Sequence, residues 1–116
     1  MNLEEILSQP NGSIEAISVN LDATPFKEKY DIIVKLLGKL SKTGSITIIG
    51  LDVYSFAKAI MYGSSSLEEF NNILFNVKSM DSLDNIKRFL LQNNFKTESC
   101  KRDNGHYVCC ARAINV

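Results

Sequence analysis

Along these 116 residues the spacing of apolar positions changes period several times, and each change marks an element. The run Thr43-Gly44-Ser45-Ile46-Thr47-Ile48-Ile49-Gly50-Leu51-Asp52 is apolar or β-branched between two glycines. It predicts a strand from Ser45 to Leu51 buried on both faces, as inside a mostly parallel sheet covered by helices. Before it, Phe26, Tyr30, Ile33, Leu37 and Leu40 recur at helical spacing and define one helix face, with Gly44 as the break into the strand. Earlier still, Leu3 to Leu7 suits a short helix stopped at Pro10-Asn11-Gly12. Ser13 to Val19 alternates with Ile17 and Val19 on one side, a short strand, and Asn20 to Pro25 is a loop.

After Asp52 a helix is predicted from Tyr54 to Tyr62. A second starts at Ser66, whose spacing to Glu69 is that of a capping box, and a third runs from Asp81 to Asn93 on Leu83, Ile86, Phe89 and Leu90. Asn94 stands where a left-handed cap residue is wanted. Phe95 to Arg102 and His106 to Ile114 flank Asp103-Asn104-Gly105, a strong hairpin signal. Phe26, Tyr30, Phe56, Phe70, Phe75 and Phe89 read as core, and Lys27, Lys29, Lys35, Lys39 and Lys42 as a solvated helix face.

Thirteen basic residues balance thirteen acidic ones without a run of either sign, so nothing forms the electrostatic footprint of a nucleic-acid or anionic-membrane binder. No apolar run approaches the roughly 18 residues of a membrane span. Met1-Asn2-Leu3-Glu4-Glu5 is acidic where a secretion signal would be basic, and three cysteines make no secreted framework. These features predict one cytoplasmic domain over residues 1–116. Many Asn, Lys, Ile and Ser residues and no Trp suggest an AT-rich, viral genome.

The predicted order is strand, helix, buried strand, helices, then an antiparallel hairpin, and three stretches resemble a known family. Pro10-Asn11-Gly12-Ser13-Ile14-Glu15-Ala16-Ile17 is similar to the fourth strand of class I, Rossmann-like, S-adenosylmethionine-dependent methyltransferases. Leu37 to Ile46 is similar to the entry to their fifth strand, and Asp84 to Phe95 to the helix before their sixth. The resemblance implies an α/β fold, the C-terminal half of such a domain, with strands in the order 4-5-7-6, a closing hairpin and helices packed on the sheet.

It also implies a truncated cofactor site. In that family a glycine-rich turn after the first strand holds the cofactor, whereas Gly12, Gly38, Gly44, Gly50, Gly63 and Gly105 are scattered. No catalytic or cofactor-binding residue and no bound cofactor are expected. Asn20, Asp22 and Asp52 fall at the carboxyl ends of strands and are the candidates for a residual site. Asp22, Thr24 and Asp52 read first as helix caps. His106, the single histidine, reads as a solvated turn residue, and with Cys100 and Cys109 it would still lack a fourth metal ligand.

Counting outward from Asn104-Gly105 sets Cys100 opposite Cys109 in a non-hydrogen-bonded pair, close enough for a disulfide or for two reduced thiols beside the core. The strand over 13–19 would be a sheet edge carrying one charge, with Ile14, Ile17 and Val19 as interface residues. A homodimer through this strand is expected, or a heteromeric partner supplying missing strands, with no nucleic acid and no membrane. Three functions stay open: a non-catalytic interaction or regulatory module that self-associates, a subunit of a split methyltransferase completed by a partner chain, and a small-ligand binding protein.

Overall fold

A computed structural model describes residues 2–63, 66–76, 80–103 and 105–114. Asn104 and the side chains of Phe70 and Phe75 lie outside the described residues. The elements are α1 (Leu3–Leu7), β1 (Ile14–Asn20), α2 (Phe26–Lys39), β2 (Leu40–Leu51), α3 (Val53–Met61), α4 (Leu67–Asn76), α5 (Leu83–Gln92), β3 (Phe95–Asp103) and β4 (His106–Ala113).

Local chemistry sets most boundaries. Asn2 caps α1 by accepting the Glu5 amide at 2.8 Å, and Gly12 supplies the positive φ of 74° that turns the chain into β1. Pro25 opens α2 without a side-chain cap, its carbonyl taking the Glu28 and Lys29 amides. Ser66 caps α4 through the Glu69 amide at 3.1 Å. Ser82, rather than Asp81, caps α5 through the Asn85 amide. Asn94 follows α5 in the left-handed region at φ 65°, where asparagine is tolerated and β-branched residues are not.

The four strands form one sheet in the order β1-β2-β4-β3. β1 and β2 run parallel, and β4 is antiparallel to both of its neighbours, β2 and β3. This is the predicted 4-5-7-6 order, with the strands numbered along this chain. The central strand differs from expectation in two ways. It begins at Leu40 and passes through Gly44, whose bare backbone is needed because a Cβ there would stand 2.8 Å from the Ile14 carbonyl. It is also buried on one face only: Gly44, Ile46, Ile48 and Gly50 are buried, while Ser45, Thr47 and Ile49 are half-buried. Ile49 makes the run look continuous in sequence, yet its side chain lies on the opposite face, beside Val108 and Cys110.

The core sits on the other face. There Ile17, Val19, Ile46, Ile48, Tyr107, Cys109 and Ala111 meet Ile33, Leu36 and Leu37 of α2, Leu83, Ile86 and Leu90 of α5, and Ile6 of α1. Burying each large aliphatic side chain contributes about 1.5–3 kcal/mol, so this layer rather than helix propensity holds α2 and α5 in place. Phe26, expected in the core, is half exposed at the start of α2. Among the described residues no helix is long and apolar enough to cross a membrane.

Candidate functional site

The parallel pair β1 and β2 ends at Asn20 and Leu51, so the two following loops leave the sheet side by side. Asn20 Oδ1 accepts the Asp22 amide at 2.9 Å, and Thr24 donates its amide to the Leu21 carbonyl, which curls this loop back over the sheet. Asp22 is thereby aimed inward. Its carboxylate accepts the Leu51 amide at 3.0 and 3.2 Å, so it bridges the ends of the two strands. Neither Asp22 nor Thr24 caps α2, because Pro25 occupies that position.

Asp52 does cap the helix that follows it. One carboxylate oxygen accepts the Ser55 amide at 3.0 Å, the Ser55 hydroxyl at 2.8 Å and Arg102 Nε at 2.8 Å; the other accepts the Leu83 amide at 3.2 Å. Burial alone would raise its pKa, but these donors together hold it below the usual carboxylate value. Arg102 also reaches Asp84 at 3.5 Å and lies over the Tyr54 ring at 4.9 Å, so one guanidinium joins β3 to α3 and α5. The bond to Asp52 raises the Arg102 pKa further.

Three residues that were not singled out for chemistry complete the site. Asp81 pairs in parallel with Asp52 through a single bridge, and its carboxylate accepts the Tyr30 hydroxyl at 2.7 Å and the Ser82 amide at 2.8 Å. Lys29 is fully buried, not solvated, and burial lowers its pKa against the opposing pull of Asp81 and Asp22. Tyr107 is fully buried on β4, and burial together with the charges of Asp81 and Asp22 raises its pKa. A signal for both was present in the sequence: Lys29 stands on the α2 stripe with Ile33 and Leu36, and Tyr107 alternates with Cys109 and Ala111. The result is a buried polar cluster under the carboxyl ends of β1 and β2, joining Asp22, Lys29, Tyr30, Asp81 and Tyr107, with Asp52 and Arg102 at its flank.

The other candidates lie elsewhere. Cys100 and Cys109 face each other across β3 and β4 with α-carbons 4.2 Å apart and are joined as a disulfide; Cys110 is free and half-buried. His106 is half-buried opposite Asp103. Ile17 and Val19 are 3% and 8% exposed and belong to the chain's own core, Ile14 is half-buried against it, and the side chains β1 leaves outward are Glu15, Ala16, Ser18 and Asn20. Among the described residues no group of three His, Cys, Asp or Glu side chains could hold a metal.

No family model and no curated protein matches the sequence. Solved structures do match. An S-adenosylmethionine-dependent methyltransferase from Methanosarcina mazei aligns over 99% of this chain and 66% of its own, at TM-score 0.66 and 14% identity. The fold is that of a methyltransferase domain. An O-methyltransferase family protein from Burkholderia thailandensis aligns over 97% of this chain and 34% of its own, at TM-score 0.69 and 12% identity. An O-methyltransferase of neocarzinostatin biosynthesis, solved with S-adenosylmethionine, aligns over 94% and 31%, at TM-score 0.61 and 8% identity. This chain therefore spans about one third to two thirds of the length of these methyltransferase-fold proteins.

Proposed function

We propose that these residues act as a non-catalytic interaction or regulatory module on a methyltransferase fold, self-associating through β1 in the cytoplasm. The observation that carries the reading is the sheet edge. β1 pairs with β2 on one side, and on its other side pairs with no strand among the described residues. It spans seven residues and carries one charged side chain, Glu15, which is drawn toward β2 by the Ser41 and Thr43 hydroxyls at 2.8 and 3.1 Å. An edge of that length is normally covered, charged or broken. The same strand of a second copy, added antiparallel across a two-fold axis, would join two four-stranded sheets into one. The non-catalytic part of the reading rests on the scattered glycines, which offer no turn for the cofactor's phosphate-free sugar and methionine groups.

Buried Ile17 is unsuitable as a test, since charging it would unfold the chain. Ala16→Lys with Ser18→Lys adds charge to exposed positions of the edge. Wild type should sediment as a dimer at tens of micromolar and the double variant as a folded monomer. A monomeric wild type whose Ile14 to Asn20 amides exchange freely rejects the homodimer.

The split-enzyme reading is favoured by the share of the methyltransferase neighbours that this chain spans. Neither reading expects the chain alone to bind S-adenosylmethionine, and micromolar binding by the chain alone would overturn both; calorimetry that shows binding only after a chain carrying the glycine-rich turn is added selects the split enzyme.

A further inference from the structure

A cleft of about 370 Å³ opens between α1 and α2, lined by Leu7 of α1, Asn11 of the turn after it, and Val34, Lys35, Gly38 and Lys39 of α2. It shares no residue with the buried polar cluster or with β1. On α2 the lining forms two neighbouring ridges, Val34 with Gly38 and Lys35 with Lys39, each pair one turn apart. Gly38 has no structural reason to be glycine. Inside a helix glycine is destabilising relative to alanine, yet Gly38 is not among the residues of positive φ, and a Cβ there would meet nothing within 4 Å. What the missing side chain supplies is open volume in the cleft. A local rule broken with no packing return points to a functional position.

The lining says what fits. The volume lies at the small end for ligand sites, and at about 30 Å³ per non-hydrogen atom, the share of a water in the liquid, it holds roughly a dozen such atoms. Leu7, Val34 and the bare Gly38 offer aliphatic contact, and no aromatic ring lines the cleft for stacking. No acidic side chain lines it either, and among the described residues neither Lys35 nor Lys39 has a carboxylate within ion-pair distance. An anion is therefore favoured. It should carry one charge rather than two, because Asp31 stands one turn before Lys35 and the carbonyl end of α2, at Lys39, is itself partly negative. We propose that this cleft binds an aliphatic monocarboxylate of medium chain length. The carboxylate pairs with Lys35 and Lys39, Asn11 adds an amide donor, and the chain lies across Gly38 against Leu7 and Val34.

The test follows backbone amide resonances of the intact ¹⁵N-labelled chain while sodium octanoate, octanamide and octyl phosphate are titrated separately. Octanoate should shift Leu7, Asn11 and Val34 to Lys39 saturably, with a dissociation constant of about 1 mM or tighter, the low end of efficiency for a ligand of this size. Octanamide keeps the chain without the charge and should bind about fivefold more weakly, the loss of pairing to two exposed ammoniums. Octyl phosphate should bind no tighter than octanoate. Lys35→Gln with Lys39→Gln should bring octanoate down to the octanamide affinity and leave octanamide unchanged, a pattern that a general loss of stability would not produce. Gly38→Leu fills the cleft and should abolish binding of both; Gly38→Ala, which the open space accommodates, should weaken both and keeps the test alive should the leucine variant not fold. No saturation by octanoate at ten times the expected dissociation constant overturns the proposal. So do shifts centred away from α1 and α2, octanamide binding as tightly as octanoate, tighter binding of octyl phosphate, or a Gly38→Ala protein that binds octanoate like wild type.

Discussion

Two glycines of this fold should respond to alanine in opposite directions, and the structure gives the size of each effect. At Gly50 a new methyl would lie 2.5 Å from Tyr107 Oη, 2.8 Å from Tyr107 Cζ and 2.8 Å from Asp22 Oδ1. Neither neighbour can yield cheaply: Tyr107 is fully buried in the core, and Asp22 is held by the Leu51 amide next to Gly50 itself. Overpacking of this kind costs about 1–3 kcal/mol, and releasing the Asp22 bond costs a further 1–3 kcal/mol or so. The stiffer unfolded chain returns about 0.4–1 kcal/mol. Gly50→Ala should therefore destabilise by about 1–5.5 kcal/mol, lowering Tm by roughly 4–22 °C for a domain of this size. Gly38, inside α2, has nothing within 4 Å of its Cβ position. Gly38→Ala should stabilise by about 0.5–1 kcal/mol. Urea titration reads both as shifts in midpoint at constant slope. A Gly50→Ala protein within about 0.5 kcal/mol of wild type, or two shifts of the same sign, would refute the close packing of Tyr107 on Asp22.

Three further outcomes are expected. Asp52 has a lowered folded-state pKa, so its contribution is complete above its unfolded value near 3.9 and is lost as pH falls through the folded value. Tm measured between about pH 2 and 6 should fall more steeply in wild type than in Asp52→Asn, and parallel curves would show that the four donors do not bind the charged form. Intact mass should rise by about 2 Da on reduction, and closing a loop of sequence separation 9 should add roughly 2.5 kcal/mol of stability over Cys100→Ser with Cys109→Ser; an unchanged mass means two thiols. Asn94→Gly should be neutral or mildly stabilising while Asn94→Ala costs about 1 kcal/mol, because φ is 65° there; equal stability of the two variants would place Asn94 outside the left-handed region.

Where one local rule decided an element, the sequence was a sufficient guide. The Asn104-Gly105 signal placed Cys100 against Cys109, and the alternation of Ile17 and Val19 placed β1 with its core face inward. Legibility failed where two rules competed. Gly44 suits a helix stop, but here its bare backbone accommodates the Ile14 carbonyl, so β2 starts at Leu40 instead. Asp22 suits a cap, but Pro25 already fixed the helix start and freed the carboxylate to reach Leu51, which lies 29 residues away and is visible only once β1 and β2 are paired. Lys29 was the most misleading. A lysine is priced as solvent-exposed by its charge, and only its place in the Ile33 and Leu36 stripe argued otherwise.

The position of β4 also dictates when this protein can fold. The last strand in sequence lies inside the sheet, and its pairing with β2 joins residues as distant as Ser45 and Arg112. Until it arrives, β2 has one paired edge and one open one, and β3 has no neighbour at all. β3 gains β4 through a tight local hairpin, whereas β2 waits for that hairpin to dock across the long stretch from Leu51 to His106, an entropic cost met before any of its rewards. During synthesis the parallel pair and α2 would emerge first with Ile46 and Ile48 incompletely covered, and the sheet would close only when the hairpin swung in. An unfinished copy thus exposes the strand that is best hidden in the finished one, and the rate of hairpin docking sets how long that exposure lasts.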